Sequence, residues 1–416
     1  EGHVDCAQLL LKKNANKELK TKESFTALML SCQSGRRACA KLLIDSDANV
    51  EAQNDNTGAN SLMLACLGNH LACVIHLITA NANLDAVNKE GQTSLMISCV
   101  YGHELCADAL LKNDASADIR TQKGMTALML ACWNNRLNCV KKLLAMCHAC
   151  KYAIDNNGWT PLMFACHHGS AEGVSLLLSN GANASQKAKG GKTPLMIACE
   201  NHHTQCAQKT LEDADAFINR NECDDQGWTA LMHACINDSV ETETVKMLLD
   251  KKVEPNFASP TSGRTALMIA CAYGNEYAFG VLVRSGANIS LKDHDGNTAL
   301  SLAKEELKPM LKNYVEILGN TPVLHDISDA TSLSPKANLG PHLPKLEESP
   351  VYHSTPGLFK APPKSPIHPI LGSGLDDQTE DDPTDQTDQP EATPLTNKRR
   401  PTARNLDGHF DEAEQT

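Results

Sequence analysis

Two groups of residues within the stretch GGKTPLMIACENHHTQC, residues 190–206, have the types and order of a chemical site. Gly191-Lys192-Thr193 ends like a phosphate-binding loop, in which successive backbone N–H groups wrap a phosphate and a lysine neutralises it. Cys199, His202, His203 and Cys206 carry donor atoms that zinc takes when four of them converge. A third group, CHAC from Cys147 to Cys150, has the spacing of a redox pair or of half a zinc site.

Each reading weakens once the rest of the chain is aligned with it. The phosphate loop requires glycine where Gln186 stands, and no buried strand precedes it. In parallel segments the column of Lys192 holds Gln92, Met125, Trp159, Trp228, Arg264 and Asn297, always between a glycine and a helix-capping threonine or its equivalent. Cys199 and Cys206 fill two recurring columns, whereas the histidine pair between them is not repeated. The expectation is buried thiols and surface imidazoles, with no nucleotide loop, metal or cofactor. CHAC lies outside both columns and lacks a nearby second pair, although Cys223 is also out of register, so these cysteines read as exposed bystander thiols. No nucleophile, base and orienting acid fall at the spacing of a catalytic motif, so the sequence reads as non-catalytic.

The columns belong to an internal repeat. TALML at 26, NSLML at 60, TSLMI at 93, TALML at 126, TPLMF at 160, TPLMI at 193, TALMH at 229, TALMI at 265 and TALSL at 298 start 34, 33, 33, 34, 33, 36, 36 and 33 residues apart. Within a copy, a short apolar helix pattern is followed by a turn and by a second one such as CAKLLI, CVKKLL or GVSLLL. A segment like GAN and a glycine then close the copy. The threonine at the head can cap the first helix, and Pro161 and Pro194 stand at the first helical position, where a missing N–H costs little.

Over roughly residues 1–318 this pattern resembles the ankyrin repeat. The resemblance implies an all-α dominated solenoid of stacked helix-turn-helix-hairpin units, with a concave face formed by the hairpins and first helices. No copy can bury its own apolar face, so stability comes from neighbours. The reading divides the chain into a partial repeat at 1–25, eight repeats over 26–297, a polar capping repeat at 298–318 and a tail at 319–416. The first segment, EGHVDCAQLLLKKNAN, reads as the second helix and hairpin of a repeat whose first helix is missing, so the chain reads as a fragment.

Two departures from the family pattern concern the core. Met replaces the usual histidine at 29, 63, 96, 129, 163, 196, 232 and 268, which puts the hairpin-bracing network in doubt. Cys replaces alanine at 32, 66, 99, 132, 166, 199, 235 and 271, with a second register at 6, 39, 73, 106, 139 and 206. Fourteen of the seventeen cysteines fall in such columns, which fits thiols kept reduced in the cytosol or nucleus rather than a disulfide framework. The 36-residue spacings predict an irregular solenoid near 213–263.

Composition excludes further classes. Residues 1–318 hold 30 Lys and Arg against 34 Asp and Glu, and residues 319–416 hold 8 against 16, which gives no basic footprint for nucleic acid. No run of 18 apolar residues exists to span a membrane. The tail carries 14 of the 19 prolines and an acidic run, DDQTEDDPTDQTDQPE, and is expected to be disordered. Thr321, Ser334, Ser349, Thr355, Ser365 and Thr393 precede prolines as candidate phosphorylation sites. Lys360, Pro363 and Pro366 have the spacing that SH3 domains read on a polyproline helix. NKRRPTAR offers a weak nuclear-import signal or a basophilic kinase site at Thr402.

What remains is surface. The positions after the paired small residues face the groove of an ankyrin stack, and the residue between hairpin glycine and threonine lies near its fingertip. Trp133 falls in the first column and Trp159 and Trp228 in the second, joined in the groove by Tyr101, His167, His168 and Tyr273. Aromatics anchor protein interfaces, so these seven residues are the candidate partner-binding set. The expected function is a cytoplasmic or nuclear interaction scaffold or adaptor. Two alternatives are a substrate-selecting segment of a larger enzyme or signalling regulator, and an anchor that retains a signalling factor in the cytoplasm.

Overall fold

The computed structural model describes residues 2–213, 220–236 and 243–317, all within the first of the chain's two units, Glu1–Leu358. The candidate phosphosites Ser334, Ser349, Thr355, Ser365, Thr393 and Thr402 and the motif at Lys360, Pro363 and Pro366 lie outside the described residues, as do 214–219 and 237–242 of the irregular region.

The repeat heads build first helices that all begin alike. Met163 N–H donates to Thr160 Oγ1 at 3.3 Å at the start of Pro161–His167, and Met196 N–H donates to Thr193 Oγ1 at 3.3 Å at the start of Pro194–Glu200. Asn60 does the same work for Ser61–Leu67. The methionines that replace histidine return the bond. The N–H groups of Thr26, Thr126, Thr160 and Thr193 lie 3.4–3.5 Å from the sulfurs of Met29, Met129, Met163 and Met196. A reciprocal cap therefore forms in these four copies, with a weak sulfur acceptor on a side chain that also fills the core.

Second helices such as Arg37–Asp45, Glu104–Lys112 and Leu137–Met146 pack antiparallel to the first, and each helix stacks on its counterpart in the next copy. The residue just before a second helix ties the copies together. His70 Nε2 reaches Gln33 O at 3.1 Å, His103 Nδ1 reaches Cys66 O at 2.7 Å, Arg136 Nε reaches Val100 O at 3.1 Å and His203 Nε2 reaches His167 O at 3.0 Å. Each donor bonds a carbonyl in the last turn of the preceding copy's first helix.

The family's hairpins are narrower here than a β-ladder. Among the described residues the only bridge is Gln53 to Asn60. A typical finger closes on one bond, Asp155 N–H to Trp159 O at 3.0 Å, and hangs on its neighbour by another, Asn156 N–H to Lys123 O at 3.1 Å. The carboxylate of Asp155 braces the turn by accepting from Asn157 N at 2.8 Å and Trp159 N at 2.7 Å. In the long eighth finger the closing bond runs from Ser259 N–H to Arg264 O, one residue further, and Thr261 Oγ1 replaces the backbone donor by bonding Gln226 O.

Candidate functional site

The phosphate-loop candidate dissolves into this architecture. Gly191 has φ +78°, and a Cβ there would fall 2.6 Å from Asp225 N of the next finger. Glycine is required by that close approach. Lys192 Nζ spends itself on both oxygens of Glu200 at 3.0 Å, and Thr193 caps its helix.

The zinc candidate dissolves too. Cys199 and Cys206 are 0% and 1% exposed among core side chains, and His203 is committed to His167 O. Burial raises the Cys199 thiol and pushes Cys206 up to about 11, so neither is a thiolate at neutral pH. Cys206 borders a 520 Å³ cleft with Gly169, His202 and Glu243, which therefore holds no activated sulfur.

CHAC corrects its expectation. Cys147 is half-buried, Cys150 is fully buried, and the two form a disulfide. The register argument failed because the turn between the second helix and the finger is here a turn of 3-10 helix, Cys150–Tyr152, that folds Cys150 inward.

The groove candidates separate into those brought together and those held apart. Trp133 ends its first helix half-buried, with the His168 ring 4.1 Å away edge-on and the His167 ring stacked at 5.7 Å. Trp159 meets His167 at 5.5 Å and Phe164 at 5.2 Å, and Phe164 meets Trp133 at 5.7 Å. Thus Trp133, Trp159, His167 and His168, from adjacent copies, form one aromatic cluster that Phe164 floors. Sequence reasoning missed Phe164, although its position after Met163 in a column of Leu and Ile marks it as core.

Trp159 and Trp228 are not at fingertips. They are 5% and 4% exposed, because a residue that bonds back to the aspartate at the finger's start turns its side chain inward. Trp228 packs at 5.6 Å against His233, whose Nε2 lies 2.8 Å from Asp224 Oδ2, a buried pair the sequence reading did not name. Tyr101 stacks at 5.8 Å on His103 of its own copy, and Tyr273 sits half-buried at the end of Ala266–Tyr273.

The cluster is electrically neutral. Burial lowers His167, with His203 adding to it, and Asn201 Nδ2 donates to its Nδ1 at 3.2 Å. Burial, then His167 and His203, takes His168 down to about 4. At neutral pH the patch offers an indole edge and uncharged imidazoles, able to cover apolar groups and to hydrogen-bond, but carrying no acid or base near its working range.

The family model for ankyrin repeats in three copies matches residues 1–54, 62–153, 115–188, 146–222, 184–258, 204–293 and 241–320. The chain belongs to the ankyrin-repeat family. Among its relatives, this ankyrin array is similar to the ankyrin repeat and KH domain-containing protein mask-1 of Caenorhabditis elegans, 31% identical over 222 residues, 45% of this chain and 8% of that protein. It is also similar to the B-cell lymphoma 3 protein homolog of Mus musculus, 28% identical over 158 residues, 38% of this chain and 35% of that protein. The chain thus spans far less than two thirds of either relative. The crystal structure of the ankyrin repeat domain of Bcl-3 aligns with a TM-score of 0.48 at 23% identity, over 55% of this chain and 99% of that one. Ankyrin repeats are a protein-interaction module, generally non-catalytic, and among the described residues no helix of the array is long and apolar enough to cross a membrane.

Proposed function

We propose that this ankyrin array is a non-catalytic scaffold that binds partner proteins along the concave face of its repeats, with Trp133 and His168 as the anchor. One observation carries the reading: Trp133 keeps part of its indole accessible in a neutral cluster at a groove column, while Trp159 and Trp228 are spent internally. Half-exposed tryptophan backed by rigid rings is the kind of residue that dominates interface energetics. Tyr101 and Tyr273 extend the same face as secondary contacts, and His167 acts by holding Trp133 in place.

We place the protein in the cytoplasm or nucleus. Fifteen free cysteines, all buried except Cys6 and Cys223, support a reducing compartment. For the tail, the reading is phosphorylation at Ser/Thr-Pro sites and docking of an SH3 domain at Lys360, Pro363 and Pro366, checked by phosphopeptide mass spectrometry and peptide titration.

The test is affinity capture with the full chain beside Trp133→Ala and His168→Ala variants, each checked for unchanged circular dichroism. Partners lost from the variants are the expected result. An identical set of retained proteins overturns the groove anchor.

A further inference from the structure

Cys147 and Cys150 stand apart from the fifteen free cysteines of the described residues. They close the end of the helix Leu137–Met146, and the turn Cys150–Tyr152 packs against both that helix and Pro161–His167. Asp118, on the preceding finger, places Oδ1 at 3.6 Å from Cys147 Sγ and 3.5 Å from Cys150 Sγ. The three ligand atoms lie within 4.8 Å of one another, the one such group of three or more among the described residues.

A disulfide sulfur carries no proton, so in the oxidised form this carboxylate oxygen faces two sulfurs with nothing to accept. In the dithiol form an S–H donates to it. The carboxylate therefore favours the reduced pair and opposes a permanent staple. Access is unequal as well: Cys147 is half-buried and Cys150 fully buried, so an external sulfur reaches Cys147 first.

We propose that Cys147 and Cys150 are a reversible thiol–disulfide site that exchanges with small-molecule disulfides of the glutathione class. In the oxidative direction the Cys147 thiolate attacks one sulfur of glutathione disulfide. Its S–S bond breaks, and one glutathione leaves as thiolate and takes up the proton Cys147 lost. The Cys150 thiolate then attacks Cys147 Sγ in the mixed disulfide and expels the second glutathione, which takes the second proton. Two protein thiols lose two electrons, and one glutathione disulfide becomes two glutathione thiols. In the reverse direction a glutathione thiolate attacks Cys147 Sγ.

The experiment equilibrates the full chain in glutathione buffers from reducing to oxidising, quenches by alkylation and reads the peptide holding residues 147–150 by mass spectrometry. A reversible transition within the series is expected, with core thiols such as Cys99 and Cys139 still reduced throughout. Asp118→Ala is expected to raise the ratio [GSH]²/[GSSG] at the midpoint by at least about tenfold, a shift of about 30 mV towards more reducing potential. Asp118 is exposed, so the thermal midpoint of that variant stays put and folding does not confound the reading. A pair that remains a disulfide in the most reducing buffer, or dithiol in the most oxidising, overturns the proposal. So does zinc retained at one per chain that blocks oxidation until chelated. An unmoved midpoint in Asp118→Ala overturns the assignment to the carboxylate.

Discussion

The fifth and seventh copies place a tryptophan in the same column and use it differently. Trp159 supports a surface: it packs under Phe164 and His167, which in turn hold Trp133 and His168 at the groove. Trp228 supports an interior, where the place of Phe164 is taken by His233, bonded to Asp224. The eighth copy continues the interior theme, with Arg264 Nε at 3.3 Å from the buried Asp293 Oδ2. One scaffold column can thus back the proposed binding patch or lie beside a buried polar pair.

The comparison breaks most visibly at its buried members. Trp159→Ala should cost about 3–5 kcal/mol, as for truncation of a buried large aromatic, and should also abolish the patch above it. Arg264→Ala should cost a similar amount, about 3–5 kcal/mol, by leaving the Asp293 carboxylate buried without its cation, and should leave the patch intact. Urea unfolding measures both stabilities, and equal partner capture by the two variants would erase the distinction between the regions. His233→Ala leaves one Asp224 oxygen unpaired and should cost about 1–3 kcal/mol.

Trp133→Ala removes half-buried ring contacts worth about 1 kcal/mol and should change stability less than the buried substitutions while changing binding most. The smallest effect concerns pH. His168 is depressed from the usual 6.5 to about 4, so the unfolded chain binds the extra proton between those values. Its contribution to stability is complete above about pH 6.5 and is lost as pH falls towards 4. The melting temperature of the unaltered chain should therefore fall more over this window than that of His168→Gln, and parallel curves would contradict the depression of that imidazole.

The stacking was legible because a period of 33–36 residues recurs along the sequence, with a capping threonine at every head but Asn60 and cysteine in one or both of two columns in most copies. The interior of the fingers was not. The column between glycine and threonine holds Gln92, Lys192 and Arg264 as well as tryptophan, so composition marked it as surface. Gln92 and Arg264 are in fact buried: Gln92 Oε1 accepts from Asn88 Nδ2 at the start of its finger, and Arg264 Nε donates to Asp293 of the next one. Polarity misleads wherever a bracing partner several residues away removes the cost of burial. Cys150 failed for the opposite reason: a position outside the repeat register was taken as outside the core, and a local turn brought it in.

The most direct test titrates a captured partner against the full chain and against Trp133→Ala, with unfolding followed on the same samples. The account predicts a Kd weakened at least about tenfold, about 1.4 kcal/mol, at a nearly unchanged unfolding midpoint. An unchanged Kd would contradict it and remove the fourth-to-sixth copies as the site of recognition.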